Sequence, residues 1–288
     1  GFDWVLKVED STIDFWDINA YGASLTIQNA YIYWILAYYD SIINITSSVV
    51  YVIKATHNSK IYADNIVNLV TFASSNAYVE IKDSMIVLQI AFLESSKGTL
   101  SNVIYGEILT MGSAKVKISK SIGNDVAVLE NSEVTIDNTK SQLWIYVEDT
   151  DLSDTTVTLE NGFVNSWSTD DLSPKLSMKI SVKNSLISWL LLFWNSSTKV
   201  LDSEINLLAF IECDKPIEVA RTTVTDLAYF YDVNASVSDV TFANMTTTID
   251  ATFFGDKSKF FVFFMCLVVQ FINFSVPSVS PWLSFNQP

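Results

Sequence analysis

With 288 residues, 49% hydrophobic side chains and a formal net charge of −15, the chain has ample apolar material for a continuous core. It lacks the basic footprint that nucleic-acid binding requires. Cys213 and Cys266 are the only cysteines, so a disulfide framework does not hold the fold, although one bridge between them is open. His57 is the only histidine, which leaves neither a Ser-His-Asp triad nor a His-rich zinc site, and the absence of a P-loop or G-x-G-x-x-G leaves no phosphate cradle.

Taken in order, the chain repeats one phrase: apolar, any, apolar, any, Asn/Asp, small, any, apolar. Leu6 and Val8 lead to Asp10, Leu25 and Ile27 to Asn29, and Ile43 and Ile45 to Ser47. The same position then falls on Asn65, Asp83, Asn102, Lys120, Asn138, Asn161, Asn184, Asp202, Arg221 and Asp239, with successive gaps from Asp10 of 19, 18, 18, 18, 19, 18, 18, 23, 23, 18, 19 and 18 residues. A fixed period of this kind is the signature of a solenoid. Alternation over about four residues predicts a short strand with one buried face. The Asn or Asp with its small neighbour predicts a corner, because these side chains bond nearby backbone and tolerate left-handed conformations.

After each corner comes a second apolar stretch, such as Ile32 to Leu36, Val49 to Ile53 and Ile205 to Ile211. Two or three strands and as many turns fill 18 to 19 residues, which is too short for a strand plus a helix and two loops, and no L-x-x-L-x-L pattern occurs. The six-residue subperiod of left-handed coils is also absent. The predicted fold is all-β: a right-handed parallel β-helix of about 13–15 rungs, with residues 1–276 as one domain and 277–288 as an extended tail.

On its period and its column of Asn and Asp, the sequence resembles the right-handed β-helix (pectin-lyase-like) superfamily at the level of fold. The resemblance implies an Asn ladder at an inner turn, mapped here onto Asn29, Asn65, Asp83, Asn102, Asn138, Asn161, Asn184, Asp202 and Asp239. Arg221, the only arginine, falls between Asp202 and Asp239 and is expected to relieve a like-charge stack. The resemblance also implies an enzymatic option, cleavage of acidic polysaccharides by paired carboxylates or by Ca²⁺ with a basic residue. Against it, an anionic polymer would meet a strongly acidic surface, and fold analogy alone carries no activity.

Two longer gaps place acidic insertions near residues 148–156 and 166–175. Asp149, Asp151, Asp170 and Asp171 there form a candidate Ca²⁺ site, weighed against a solvated acidic bulge. The stretch from Phe260 to Val276 is apolar enough to raise a membrane anchor, but Gln270 and Asn273 interrupt it, and Val269, Phe271, Asn273 and Val276 repeat the rung phrase. It is expected to form a last rung, with an anchor or a donated strand as alternatives. Asn-x-Ser/Thr sites at Asn44, Asn195, Asn234, Asn244 and Asn273, together with a first residue other than Met, fit secretion and glycosylation.

The functional expectation is a non-enzymatic structural protein outside the cell: a homopolymer assembled head to tail through open β-helix ends or strand addition. The alternatives are a secreted polysaccharide-binding or polysaccharide-cleaving β-helix, with Trp144, Trp167, Trp189 and Trp194 as sugar platforms, and a viral fibre or adhesin.

Overall fold

The computed structural model of the chain describes residues 5–129, 131–146, 154–160, 163–168, 177–193, 196–213, 215–243, 245–249, 252–254 and 270–271. Every regular element among them is a β-strand, and the strands stack in parallel as a β-solenoid. The coil around Ser47 shows the plan. Ile42–Thr46 runs into a one-residue corner at Ser47, whose φ is 48°; Val49–Ala55 follows, and a turn through His57 and Asn58 leads into Lys60–Asp64 one level on.

Residue types account for each piece. In Ile42–Thr46 the branched side chains of Ile43 and Ile45 point inward, while Ile42 and Asn44 face out. In Val49–Ala55 the buried positions are Val50, Ile53 and Ala55, so the alternation slips one residue between Tyr51 and Val52. The slip recurs as a shift of pairing register at Asn68/Val70, Tyr105/Glu107 and Gly123/Asp125. The return turns put two successive residues at positive φ at Tyr39/Asp40, His57/Asn58 and Ser75/Asn76, closed by amide-to-carbonyl bonds from Ser41 to Tyr38, Ser59 to Thr56 and Ala77 to Ser74. That is the type I′ geometry.

Stacked coils align their strands in two columns. The first, which leads into the corners, is fifteen strands deep, from Val5–Glu9 to Gln270–Phe271. The second follows the corners and begins at Thr12–Tyr21. Tyr78–Phe92 and Lys97–Thr110 each carry both columns, passing their corners without a break. Inward side chains form axial stacks such as Ile27, Ile45, Ala63, Ile81, Leu100, Ile118 and Ile136, all buried. Each isoleucine or leucine in the stack stabilises the coil by about 1.5–3 kcal/mol relative to exposure.

Two glycines show how tightly the interior is filled. A β-carbon on Gly98 would lie 2.3 Å from the Phe92 ring, and one on Gly123 would lie 2.0 Å from the Tyr105 ring. Each glycine occupies an inward position whose space a neighbouring coil's aromatic has taken. One buried amide enters the same interior: Asn68 donates to the Val50 carbonyl at 2.9 Å and accepts from Thr71 Oγ1 at 2.7 Å, so its polar atoms are satisfied.

Candidate functional surface

The periodic Asn/Asp position is a corner in every coil where the structure describes it. Asp10, Asn29, Ser47, Asn65, Asp83, Asn102, Lys120, Asn138, Asn184, Asp202, Arg221 and Asp239 all have φ between 45° and 54°. Asn161 lies outside the described residues. The column is external, however, and the inner ladder implied by the resemblance is not formed by these residues: Asn29, Asn65, Asp83, Asn102, Asn138, Asn184 and Asp239 are exposed, and Asp202 is half-buried. The physical reason is the left-handed residue itself, which breaks the alternation and turns its own side chain outward and the next one inward.

Neighbouring corner side chains touch on the outside. Asn29 donates to Asp10 at 3.1 Å, Asn65 to Ser47 at 3.3 Å, and Asn102 to Asp83. Arg221 makes a two-pronged contact with Asp202, Nε to Oδ1 at 2.5 Å and Nη2 to Oδ2 at 2.9 Å. The hydrogen bond from Arg221 holds the Asp202 carboxyl below its usual range, and the same bond raises the guanidinium. Asp239 contributes to Arg221 only at longer range.

The inner ladder belongs to the residue after the corner, which carries a hydroxyl in most of the described coils. Ser48 accepts the amide of Ala30 in the preceding coil at 3.1 Å and donates to the Thr46 carbonyl at 2.7 Å. Ser84 accepts from Ile66, Ser121 from Val103, Thr139 from Ser121 and Ser203 from Ser185, at 3.0 to 3.5 Å. These hydroxyls satisfy inward-turned amides at the point where the chain changes direction. The small-residue position in the repeat phrase was the available signal for them.

The surface feature with a chemistry of its own lies on the second column. Two residues past the corner, Tyr31, Val49, Val67, Met85, Ile104 and Ile122 pair level by level and all face out. Six coils at about 4.8 Å each give an apolar ridge about 24 Å long between its first and last members. Beside it stand Tyr33, Tyr51 and Leu69, then Trp34, Val52 and Val70, and a bulge extrudes Val87 and Leu88 at 48% and 54% exposure. Tyr33 stacks on Tyr51 at 5.1 Å, and Tyr31 meets Tyr51 edge-on at 5.6 Å.

The bulge depends on its neighbour. A β-carbon on Gly106 would lie 2.4 Å from the Leu88 carbonyl oxygen and 2.8 Å from that of Val87, so only glycine lets the extruded backbone settle there. Beyond it the third stripe becomes polar, with Gln89 bonded to Glu107 at 3.0 Å and Asp125 next in register, which marks one border of the apolar face. Residue by residue, segments 31–34, 49–52, 67–70 and 85–88 contain no Asp, Glu, Lys or Arg, where the overall 17% of charged residues would place two or three.

The other sequence-derived sites are distributed as follows. His57 is exposed in a return turn, bonded to Thr56 at 2.8 Å and packed on Tyr39. Asn44 and Asn234 are exposed on first-column strands, while Asn195, Asn244 and Asn273 lie outside the described residues. Asp149, Asp151, Asp170 and Asp171 also lie outside them, and among the described residues no group of three or more His, Cys, Asp or Glu is placed to hold a metal ion. Trp189 is 53% exposed on the second column. The side chains of Trp144 and Trp167, and all of Trp194, lie outside what is described.

Of the stretch 260–276 only Gln270–Phe271 is described, paired in parallel with Thr252–Phe254. The tail 277–288 lies outside the described residues. Among the described residues no helix is long and apolar enough to cross a membrane. Cys213 is buried against the carbonyls of Leu192 and Ile211. Comparison with protein-family models, curated proteins and solved structures finds no match to this chain.

Proposed function

We propose that the chain is a structural subunit of an extracellular filament or fibre, extended end to end by coils of one molecule stacking on coils of the next. The observation that carries this reading is the uniformity of the first column. Over fifteen strands the same parallel pairing recurs, and the same corner amide donates to the strand of the next coil, as from Asn29 to Thr46, Asn65 to Lys82 and Asp202 to Ala220. A coil of a second molecule therefore meets the donor and acceptor pattern that a coil of the same molecule meets. Exposed acceptor sites at Asn44 and Asn234 are compatible with glycans outside the cell.

A second reading, a secreted protein that binds or cleaves a cell-surface polysaccharide, draws on the exposed aromatics Tyr33, Trp34 and Trp189. Electron microscopy of the purified chain at increasing concentration tests the first: rods that lengthen by whole molecules are expected, and monodisperse short particles at every concentration would refute it. Incubation with acidic polysaccharides tests the second. Release of reducing or unsaturated ends, abolished by Asp170→Ala, would replace the structural reading with an enzymatic one.

A further inference from the structure

We infer that the apolar face of the second column is a lateral contact between two copies of this chain, packed face to face; this adds a sideways contact to the end-to-end filament and rests on that reading only for its place in an assembly. Three observations select a second copy as the occupant. The first is charge. In a chain of net −15, the face is free of ionised side chains across its four central segments 31–34, 49–52, 67–70 and 85–88, with Glu107 and Asp125 at its far border, and the corners flanking its first three coils are the neutral Asn29, Ser47 and Asn65. Two copies can meet there while their acidic surfaces stay hydrated at the rim.

The second observation is period. The ridge repeats once per coil, about every 4.8 Å, so its best-matched partner is a surface with the same spacing, and another copy supplies one by construction. The third is composition and size. Tyr, Trp and Met are enriched in the cores of protein interfaces, where charge is depleted, and Trp34, Tyr33 and Met85 supply them here. Taking on the order of 150–250 Å² for a large side chain, the exposed fractions from Tyr33 to Ile122 sum to several hundred Å², approaching the roughly 800 Å² per partner of a standard interface.

Sedimentation velocity on the full chain over a range of concentration and NaCl provides the test, comparing wild type with V67K/L88K and with Ser24→Lys, a control on the exposed first column. Pairing of like-charged molecules through an apolar face strengthens with salt, so wild type and the control are expected to gain a double-mass species as NaCl rises. V67K/L88K is expected to weaken pairing at least tenfold with unchanged circular dichroism. Wild type monomeric throughout, a variant that pairs like wild type, or pairing that salt dissolves as for a basic partner would each overturn the inference. Electron microscopy separates the two proposals. Single-file filaments in wild type overturn the lateral contact alone, whereas pairs without lengthening overturn only the end-to-end reading.

Discussion

At Asn65 the backbone has φ 52°, a region that costs a side chain with a β-carbon roughly 1–2 kcal/mol and that Asn, Asp and Gly tolerate best. Asn65→Gly is therefore expected to change stability little, whereas Asn65→Val, β-branched, should lower it by about 1–2 kcal/mol, read from the urea midpoint. The residue that follows a corner carries a larger stake when it is a hydroxyl. Ser84→Ala removes the acceptor of the Ile66 amide and should cost about 1–3 kcal/mol, more than the same change at an exposed serine such as Ser24.

This division of labour between adjacent residues was half legible in the sequence. The column of Asn and Asp identified the corners, because few other residues accept a left-handed backbone. Extending the apolar alternation through Leu25, Ile27 and Asn29 places the asparagine inside, and only the turn itself reverses that parity.

Asp202 and Arg221 give the corner column a pH signature. The arginine lowers the carboxyl's folded pKa, so the pair's contribution is present above the unfolded value of about 3.9 and is lost as pH falls through the folded one. In Arg221→Gln the Asp202 resonance is expected to titrate at higher pH, and the difference in stability from wild type should vanish in acid. An unmoved titration curve would mean that the contact does not form in solution.

Among whole strands, the informative departures are where one coil yields space to another. Gly98 gives room to Phe92, so Gly98→Ala should destabilise by about 1–3 kcal/mol, and by less in a Phe92→Ala background. A double-mutant cycle in guanidinium checks the coupling. The strands after the corners were visible as apolar stretches, but their facing was not. In Val49 to Ala55 both inward Val50 and outward Val49 are apolar, and periodicity cannot assign sides when both carry the same signal. The apolar face was hidden in the sequence for that reason, and the bulge at Val87 and Leu88, which depends on Gly106, added a shift no repeat count contains.

The solenoid's charge sets the conditions for any assembly of the whole molecule. Net −15 opposes every contact between copies, so filaments formed at physiological ionic strength are expected to shorten when salt is dialysed away, measurable by light scattering. Acidification towards the sequence pI of about 4.3 should favour association for the same reason.

The corner hydroxyls also bear on how such a chain can change length. From Ser11 to Ser121 the inward corner residue alternates between a hydroxyl and an apolar side chain: Ser11, Ala30, Ser48, Ile66, Ser84, Val103, Ser121. Excising residues 48–65 removes one coil in register but sets Ile66 above Ala30, whose amide then loses its acceptor, at about 1–3 kcal/mol. Excising 48–83 removes two coils and puts Ser84 in the place of Ser48. Between Ser11 and Ser121 the unit by which the solenoid can be shortened or duplicated without that penalty is thus the pair, twice the period that the backbone alone displays, whereas the consecutive hydroxyls at Ser121 and Thr139 and at Ser185 and Ser203 let a single coil serve as the unit there.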